Sequence, residues 1–319
     1  MSEMSLPSIL AICDNDADGF TCQMILRNLY KGSVQISTPD ERKLTYTVGL
    51  HFQKIIFCDW APSNFMEFTQ RNTHINQWVL VDHHITNTNI PAFVIQKVDN
   101  DKCAAQLLLE FLNISHPVIQ TYANYISIND IYKDAEGKAY PDLPVEKRAI
   151  VTRCVEYALR AKDEKWELSQ FIQHLSECIN PIATKDEIQK IREKDERVQN
   201  VIQNHIINRG DFWILDIIGE YYYDILSLIG YRASKDLNKP GAILCKKYWK
   251  TDHTTVYSVS FRSIDNTAWS LCKYFHNVTK ACGFKNAKNA NIHMGGHLNA
   301  CRLTGFQRDA YNFWKYELQ

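Results

Sequence analysis

Asp14, Asp16 and Asp18 occupy alternate positions in Asp14-Asn15-Asp16-Ala17-Asp18-Gly19, directly after the apolar run Ile9-Leu10-Ala11-Ile12-Cys13. Asp59 closes a second apolar run, Ile55-Ile56-Phe57-Cys58, and Asp82-His83-His84 closes a third, Trp78-Val79-Leu80-Val81. Carboxylates and imidazoles brought together repel and desolvate one another unless cations neutralise them, and both are common ligands of divalent ions. These spacings therefore predict metal chemistry. Calcium loops of the EF-hand kind share the Asp-x-Asp-x-Asp-Gly start, but they need an acidic twelfth residue and a helix on either side. Here the twelfth residue from Asp14 is Ile25 and the preceding segment is strand-like, which excludes that reading.

Short apolar runs that stop at polar residues read as buried parallel strands delivering those residues to one sheet edge. Thr21 to Tyr30, Ala104 to Leu112 and Ile119 to Ile131 carry helical spacing, the last ending near Asp130. This alternation predicts an α/β fold with a doubly wound parallel sheet over residues 1–183. Residues 134–144 read as a loop, followed by helix to about residue 180. Thr184 with Glu187 forms a capping-box start, and Ile188, Ile191, Val198, Val201 and Ile202 make a thin apolar stripe. Residues 184–208 are thus expected to be a helical linker. Beyond it, Phe212-Trp213-Ile214-Leu215, Ala242-Ile243-Leu244-Cys245 and Thr255 to Arg262 read as strands of a smaller mixed α/β domain over 209–319.

The 319 residues exceed the usual size of one core, which agrees with two domains. Net charge is zero, from 36 basic and 36 acidic residues, which argues against a protein that coats long nucleic acid by electrostatics alone. Its distribution is uneven: residues 209–319 carry 15 Lys and Arg against 9 Asp and Glu, so a net −6 lies before residue 209 and +6 after it. An acidic metal-holding part beside a basic anion-holding part suits a phosphate ester. The ten cysteines are scattered, with no zinc-type spacing. With no signal-peptide pattern and no apolar run of membrane-spanning length, the expected setting is cytoplasmic or nuclear, with reduced thiols and no membrane partner.

Near the end of the chain, Gly295-Gly296-His297 offers backbone amides and an imidazole to an anion, and Arg262-Ser263 offers a guanidinium and a hydroxyl. Taken in order, these elements resemble the DHH phosphoesterase superfamily. The Asp14–Asp18 cluster, the lone Asp59, the Asp82-His83-His84 triplet and Asp130 match the motifs of its DHH domain. The strand Ser260-Phe261-Arg262-Ser263 and the glycine loop Gly295-Gly296-His297-Leu298-Asn299-Ala300 look like its associated C-terminal domain.

The resemblance implies two metal ions, Mn²⁺ with Mg²⁺ as the alternative. Asp16 and Asp59 would hold one, with Asp14 the nearest additional candidate. Asp18, Asp59, His83 and Asp130 would hold the other, making Asp59 the bridge, with His84 on the scissile phosphate. Arg262, Ser263, Gly295, Gly296 and His297 would grip the substrate across an interdomain cleft. The oligoribonuclease branch places a histidine where this chain has Ile12. The Asp-x-Asp-Ala-Asp-Gly form looks more like RecJ-type exonucleases, whose additional nucleic-acid-binding domain this length does not accommodate. The activity implied is two-metal hydrolysis of short single-stranded RNA or DNA to 5′-mononucleotides. A phosphatase or phosphodiesterase for a small nucleotide and a non-catalytic DHH-fold scaffold are the competing readings.

Overall fold

Five segments pair in parallel as β1 (Ile9–Cys13), β2 (Val34–Ser37), β3 (Lys54–Cys58), β4 (Gln77–Asp82) and β5 (Ile95–Val98). Their order is β2-β1-β3-β4-β5. The structure, a computed structural model, describes residues 8–39, 48–62, 64–84, 90–216, 225–249, 254–265, 267–281, 293–297 and 300–306. Side chains alternate across a strand. Ala11, Cys13, Ile56, Cys58, Val79 and Val81 therefore enter one core, and Leu10, Ile12, Ile55, Phe57, Trp78 and Leu80 enter another. Both faces of β1, β3 and β4 are apolar, so these strands read as continuous apolar runs rather than as alternating ones.

The first core is closed by α1 (Ala17–Tyr30), α3 (Ala104–Phe111), α4 (Pro117–Asp130), α5 (Val145–Asp163) and α6 (Leu168–Cys178). The second is closed by α2 (Phe65–Arg71), whose Phe65 and Phe68 meet Phe57 and Trp78 edge to face. Two segments around this sheet differ from the sequence reading. Helix α1 starts four residues before Thr21, because Asp16 caps it by accepting hydrogen bonds from the Asp18 and Gly19 amides, each at 3.0 Å. The segment expected to be a loop over 134–144 contains a 3-10 turn at Tyr140–Asp142.

Helix α7 (Lys185–His205) begins with the expected box: the Thr184 amide donates to Glu187 at 2.7 Å and the Glu187 amide to the Thr184 hydroxyl at 3.3 Å. Its stripe buries Ile191, Val198 and Val201. The helix stops at His205 rather than Asn208, because β6 (Ile206–Arg209) turns back through Gly210 and pairs antiparallel with β7 (Phe212–Asp216). Gly210 supplies the left-handed backbone that this tight turn requires. The chain divides into two units, Met1–Ile191 and Arg192–Gln319.

The second unit contains α8 (Leu226–Leu237), β8 (Gly241–Trp249), β9 (Thr254–Arg262), α9 (Thr267–Ala281), β10 (His293–His297) and β11 (Ala300–Phe306). The sheet order is β10-β11-β9-β8-β7-β6, with only β7 and β8 parallel, which gives the expected smaller mixed α/β unit. Among the described residues, Cys13, Cys22, Cys58, Cys103, Cys154, Cys178 and Cys272 are free and buried. No described helix is long and apolar enough to cross a membrane.

Candidate metal centre

In an open parallel sheet, ligands gather beyond the carboxyl ends of the strands, where neighbouring connections leave in opposite directions. The order β2-β1-β3 puts that point between β1 and β3. Asp14, Asp16 and Asp18 follow β1, Asp59 follows β3, and Asp82 ends β4 with His83 and His84 behind it. Asp130 is the last residue of α4. The fold thus brings all of these sequence-predicted residues of the first unit to one edge.

Asp59 is the centre of the arrangement. It is 1% exposed, its φ is 59°, and its Oδ2 has no hydrogen-bond partner. A non-glycine residue in the left-handed region is strained, and such strain gathers at functional sites. Its Oδ1 lies 3.1 Å from His83 Nε2, and Asp130 Oδ2 lies 3.0 Å from the same nitrogen. Three sets of ligand atoms lie within 4.8 Å of one another: Asp14, Asp16 and Asp59; Asp18, Asp59, His83 and Asp130; and Asp59, Asp82, His83 and His84. Asp59 belongs to every set. Opposite donors around a six-coordinate ion sit about 4.2 Å apart at bond lengths near 2.1 Å, so the spread admits a cation with small adjustments. An acidic oxygen buried without a donor, amid further carboxylates, fits a divalent ion.

The electrostatics agree. Burial, and then repulsion from Asp130 and Asp16, pushes Asp18 up to about 7. Burial, followed by Asp16, pushes Asp130 up to about 8. Burial and the neighbouring aspartates hold Asp59 well above the ordinary carboxylate range, and burial also raises Asp14. The His83 pKa is lowered, by burial and then by His84, which keeps its imidazole neutral as a metal ligand must be. Burial also pushes the Cys22 and Cys103 thiols far up.

Two supporting features were missed by sequence reasoning. The first is Asp82, quoted as part of the triplet but given no role. Its Oδ1 accepts from the His83 amide at 2.7 Å and the His84 amide at 3.3 Å, and lies 2.8 Å from His84 Nδ1. Burial works against the His84 cation, but this hydrogen bond and the Asp82 charge overcome it and push His84 up to about 9. The second is α3, whose Ala104 and Ala105 amides donate to Asp18 at 2.7 and 2.9 Å. The signal available in the sequence was weak: Cys103 is a poor capping residue, but Gln106 three residues on accepts its amide at 3.4 Å, so nothing local calls for Asp18.

Ile12, the position where the oligoribonuclease branch named above has histidine, is 1% exposed and packs in the core on the α2 side. In the second unit, Arg262 lies across α8. A Cβ added to Gly230 would sit 2.4 Å from its Cγ, so only glycine leaves room for this side chain. Ser263, expected to offer its hydroxyl to substrate, is buried, and its Oγ accepts the Ala268 amide at 3.0 Å, capping the start of α9. Gly295, Gly296 and His297 were expected in a loop. They lie instead in β10, opposite Arg302, Cys301 and Ala300 of β11, because the antiparallel register extends to the end of both strands. Leu298 and Asn299 lie outside the described residues.

No family model matches the sequence, and no curated protein matches it. Solved structures do. RecJ from Thermus thermophilus, in complex with Mn²⁺, matches 99% of this chain and 52% of its own, with 12% identity and a TM-score of 0.51. The chain has a DHH-type fold. The chain therefore spans about half the length of that RecJ. Other matches are CDC45 from Entamoeba histolytica (8% identity, 98% and 94% coverage, TM-score 0.49) and exonuclease RecJ bound to manganese (13% identity, 97% and 88% coverage, TM-score 0.48).

Proposed function

We propose that this chain is a metal-dependent phosphodiester hydrolase that releases 5′-mononucleotides from short single-stranded oligonucleotides. The observation that carries the reading is Asp59, a buried carboxylate with one unpartnered oxygen, common to each group of candidate ligands. Asp16 and Asp59, with Asp14, are assigned to one cation, and Asp18, Asp59, His83 and Asp130 to a second. The RecJ of similar fold was solved with Mn²⁺, and a mixed oxygen and nitrogen donor set suits that ion here, with Mg²⁺ as the alternative. Bound cations would supply Lewis-acid stabilisation of phosphoryl oxygens and lower the pKa of water.

The protein's own contribution is to hold and orient. Asp82 fixes the His84 ring and favours its cationic form, which suits contact with the scissile phosphate. The Ala104 and Ala105 amides fix Asp18 in the same way. Arg262 and the β10 residues Gly295, Gly296 and His297 are assigned to the substrate's far phosphate, together with Ser263, whose side chain also hydrogen-bonds Asp265 and the Ala268 amide. The basic excess of residues 209–319 supports that assignment.

The test is a time course on end-labelled RNA and DNA of about two to ten nucleotides, beside small nucleotide phosphates and cyclic dinucleotides, with Mn²⁺, Mg²⁺ or Co²⁺. Stepwise release of mononucleotides supports the proposal. Turnover of the small compounds alone moves the activity to a small-nucleotide phosphoesterase. Binding of cations and substrate without turnover of anything makes the chain a scaffold.

A further inference from the structure

Resting on the two-cation reading above, we propose that the two positions are chemically unequal. The inner position retains a manganese-class ion, and the outer position exchanges its ion freely and accepts Mg²⁺.

The inner donors are Asp18, Asp59, His83 and Asp130, three of them buried and the fourth partly so. They include one imidazole, and their geometry is fixed before any ion arrives. The Ala104 and Ala105 amides clamp Asp18, and His83 Nε2 already sits 3.1 Å from Asp59 and 3.0 Å from Asp130. Buried carboxylates gain most from a cation, because water does little for them otherwise. A nitrogen donor favours a transition-metal ion over Mg²⁺, which prefers oxygen ligands and retains its waters.

The outer donors are Asp14, Asp16 and Asp59, without an imidazole, and Asp16 is exposed. One oxygen of each outer aspartate is already engaged. Asp14 Oδ1 accepts the Asn15 amide at 2.6 Å, and Asp16 Oδ1 accepts the Asp18 and Gly19 amides at 3.0 Å. A competing positive charge also stands on this loop, since Lys162 Nζ donates to the Asn15 carbonyl at 2.7 Å. Fewer donors, water access and a nearby ammonium all weaken retention, while an all-oxygen set suits Mg²⁺. The third grouping, with Asp82 and His84, is a hydrogen-bonded pair and not a further seat: Asp82 Oδ1 already takes two amides and the His84 ring.

The test follows free Mn²⁺ by electron paramagnetic resonance as it is titrated into the full chain, with circular dichroism confirming that each variant is folded. Two successive steps are expected, with excess Mg²⁺ releasing the more weakly held ion alone. Asp16→Asn loses the weaker step and keeps the tighter one, and Asp130→Asn loses the tighter one. Lys162→Gln, which removes no ligand, tightens the weaker step by about two- to fivefold, the size of an exposed charge interaction. Two indistinguishable steps, release of both ions together by Mg²⁺, or loss of the tighter step in Asp16→Asn would overturn the inference. Hydrolysis that persists alongside equal steps leaves the two-cation reading intact. A folded chain that binds no Mn²⁺ sinks that reading and this inference with it.

Discussion

At Asp59 a carboxylate sits where neither water nor a donor reaches its Oδ2, beside further carboxylates and in a strained backbone conformation. Without a cation this residue costs the fold stability; with one it organises the site. Asp59→Asn is therefore expected to raise the melting temperature of the cation-free protein, abolish the further rise on adding Mn²⁺, and lower hydrolysis by about 10²-fold or more. Differential scanning calorimetry with and without Mn²⁺ checks the first two; an unchanged metal-induced shift would contradict the assignment. Titration has a definite sign as well. Asp18 and Asp130, raised to about 7 and about 8, keep protons in the folded chain that the unfolded chain releases above about pH 4. Cation-free stability should thus fall as pH rises from about 4 towards 8, while Mn²⁺, which displaces those protons, binds more tightly over the same interval. Calorimetric titrations at about pH 6 and about pH 8.5 should show the difference, with proton release on binding at the lower pH. Asp82→Asn should leave Mn²⁺ binding in place yet cut turnover by about 10- to 100-fold, since it frees the His84 ring. The types and spacing of the acidic and histidine residues were legible in the sequence. The role of Asp82 was not, because a residue that orients another leaves no spacing signal of its own.

Strand and helix ends do the positioning, and Gly19 shows how tightly. A Cβ at this position would lie 2.2 Å from the Asp14 carbonyl oxygen, so only glycine lets α1 start against the end of β1. Gly19→Ala should cost about 1–3 kcal/mol and weaken Mn²⁺ binding by moving Asp14. Urea denaturation and metal titration measure the two effects, and an unchanged pair would contradict this packing. The central strands β1, β3 and β4 were legible because burial on both faces makes them continuous apolar runs. Edge strands β2 and β5 were not: most of their residues are partly or fully exposed, which erases that signal. Strand β6 was hidden for a different reason. Ile206 and Ile207 continue the apolar content of α7, and only pairing with β7 makes them strand. Gly295 and Gly296 read as a turn, since glycine is rare inside strands and pairing partners cannot be seen locally.

Over the whole chain, an acidic first part provides the candidate metal ligands and a basic second part provides the candidate anion contacts. Such a division suits a substrate that carries its own negative charge, because cations and basic groups are each needed to neutralise it. The parallel sheet of the first unit supplies a ligand edge by its strand order alone, and the mixed sheet of the second carries Arg262 and β10. Fold class was legible from the alternation of strand and helix. The most direct test of the account is anomalous scattering at the manganese edge from crystals of the full chain grown with Mn²⁺. Two peaks flanking the Asp59 carboxylate are predicted, one near Asp14 and Asp16 and one near Asp18, His83 and Asp130. Density that shows the Asp59 carboxylate bound by no manganese in a correctly folded chain would contradict it.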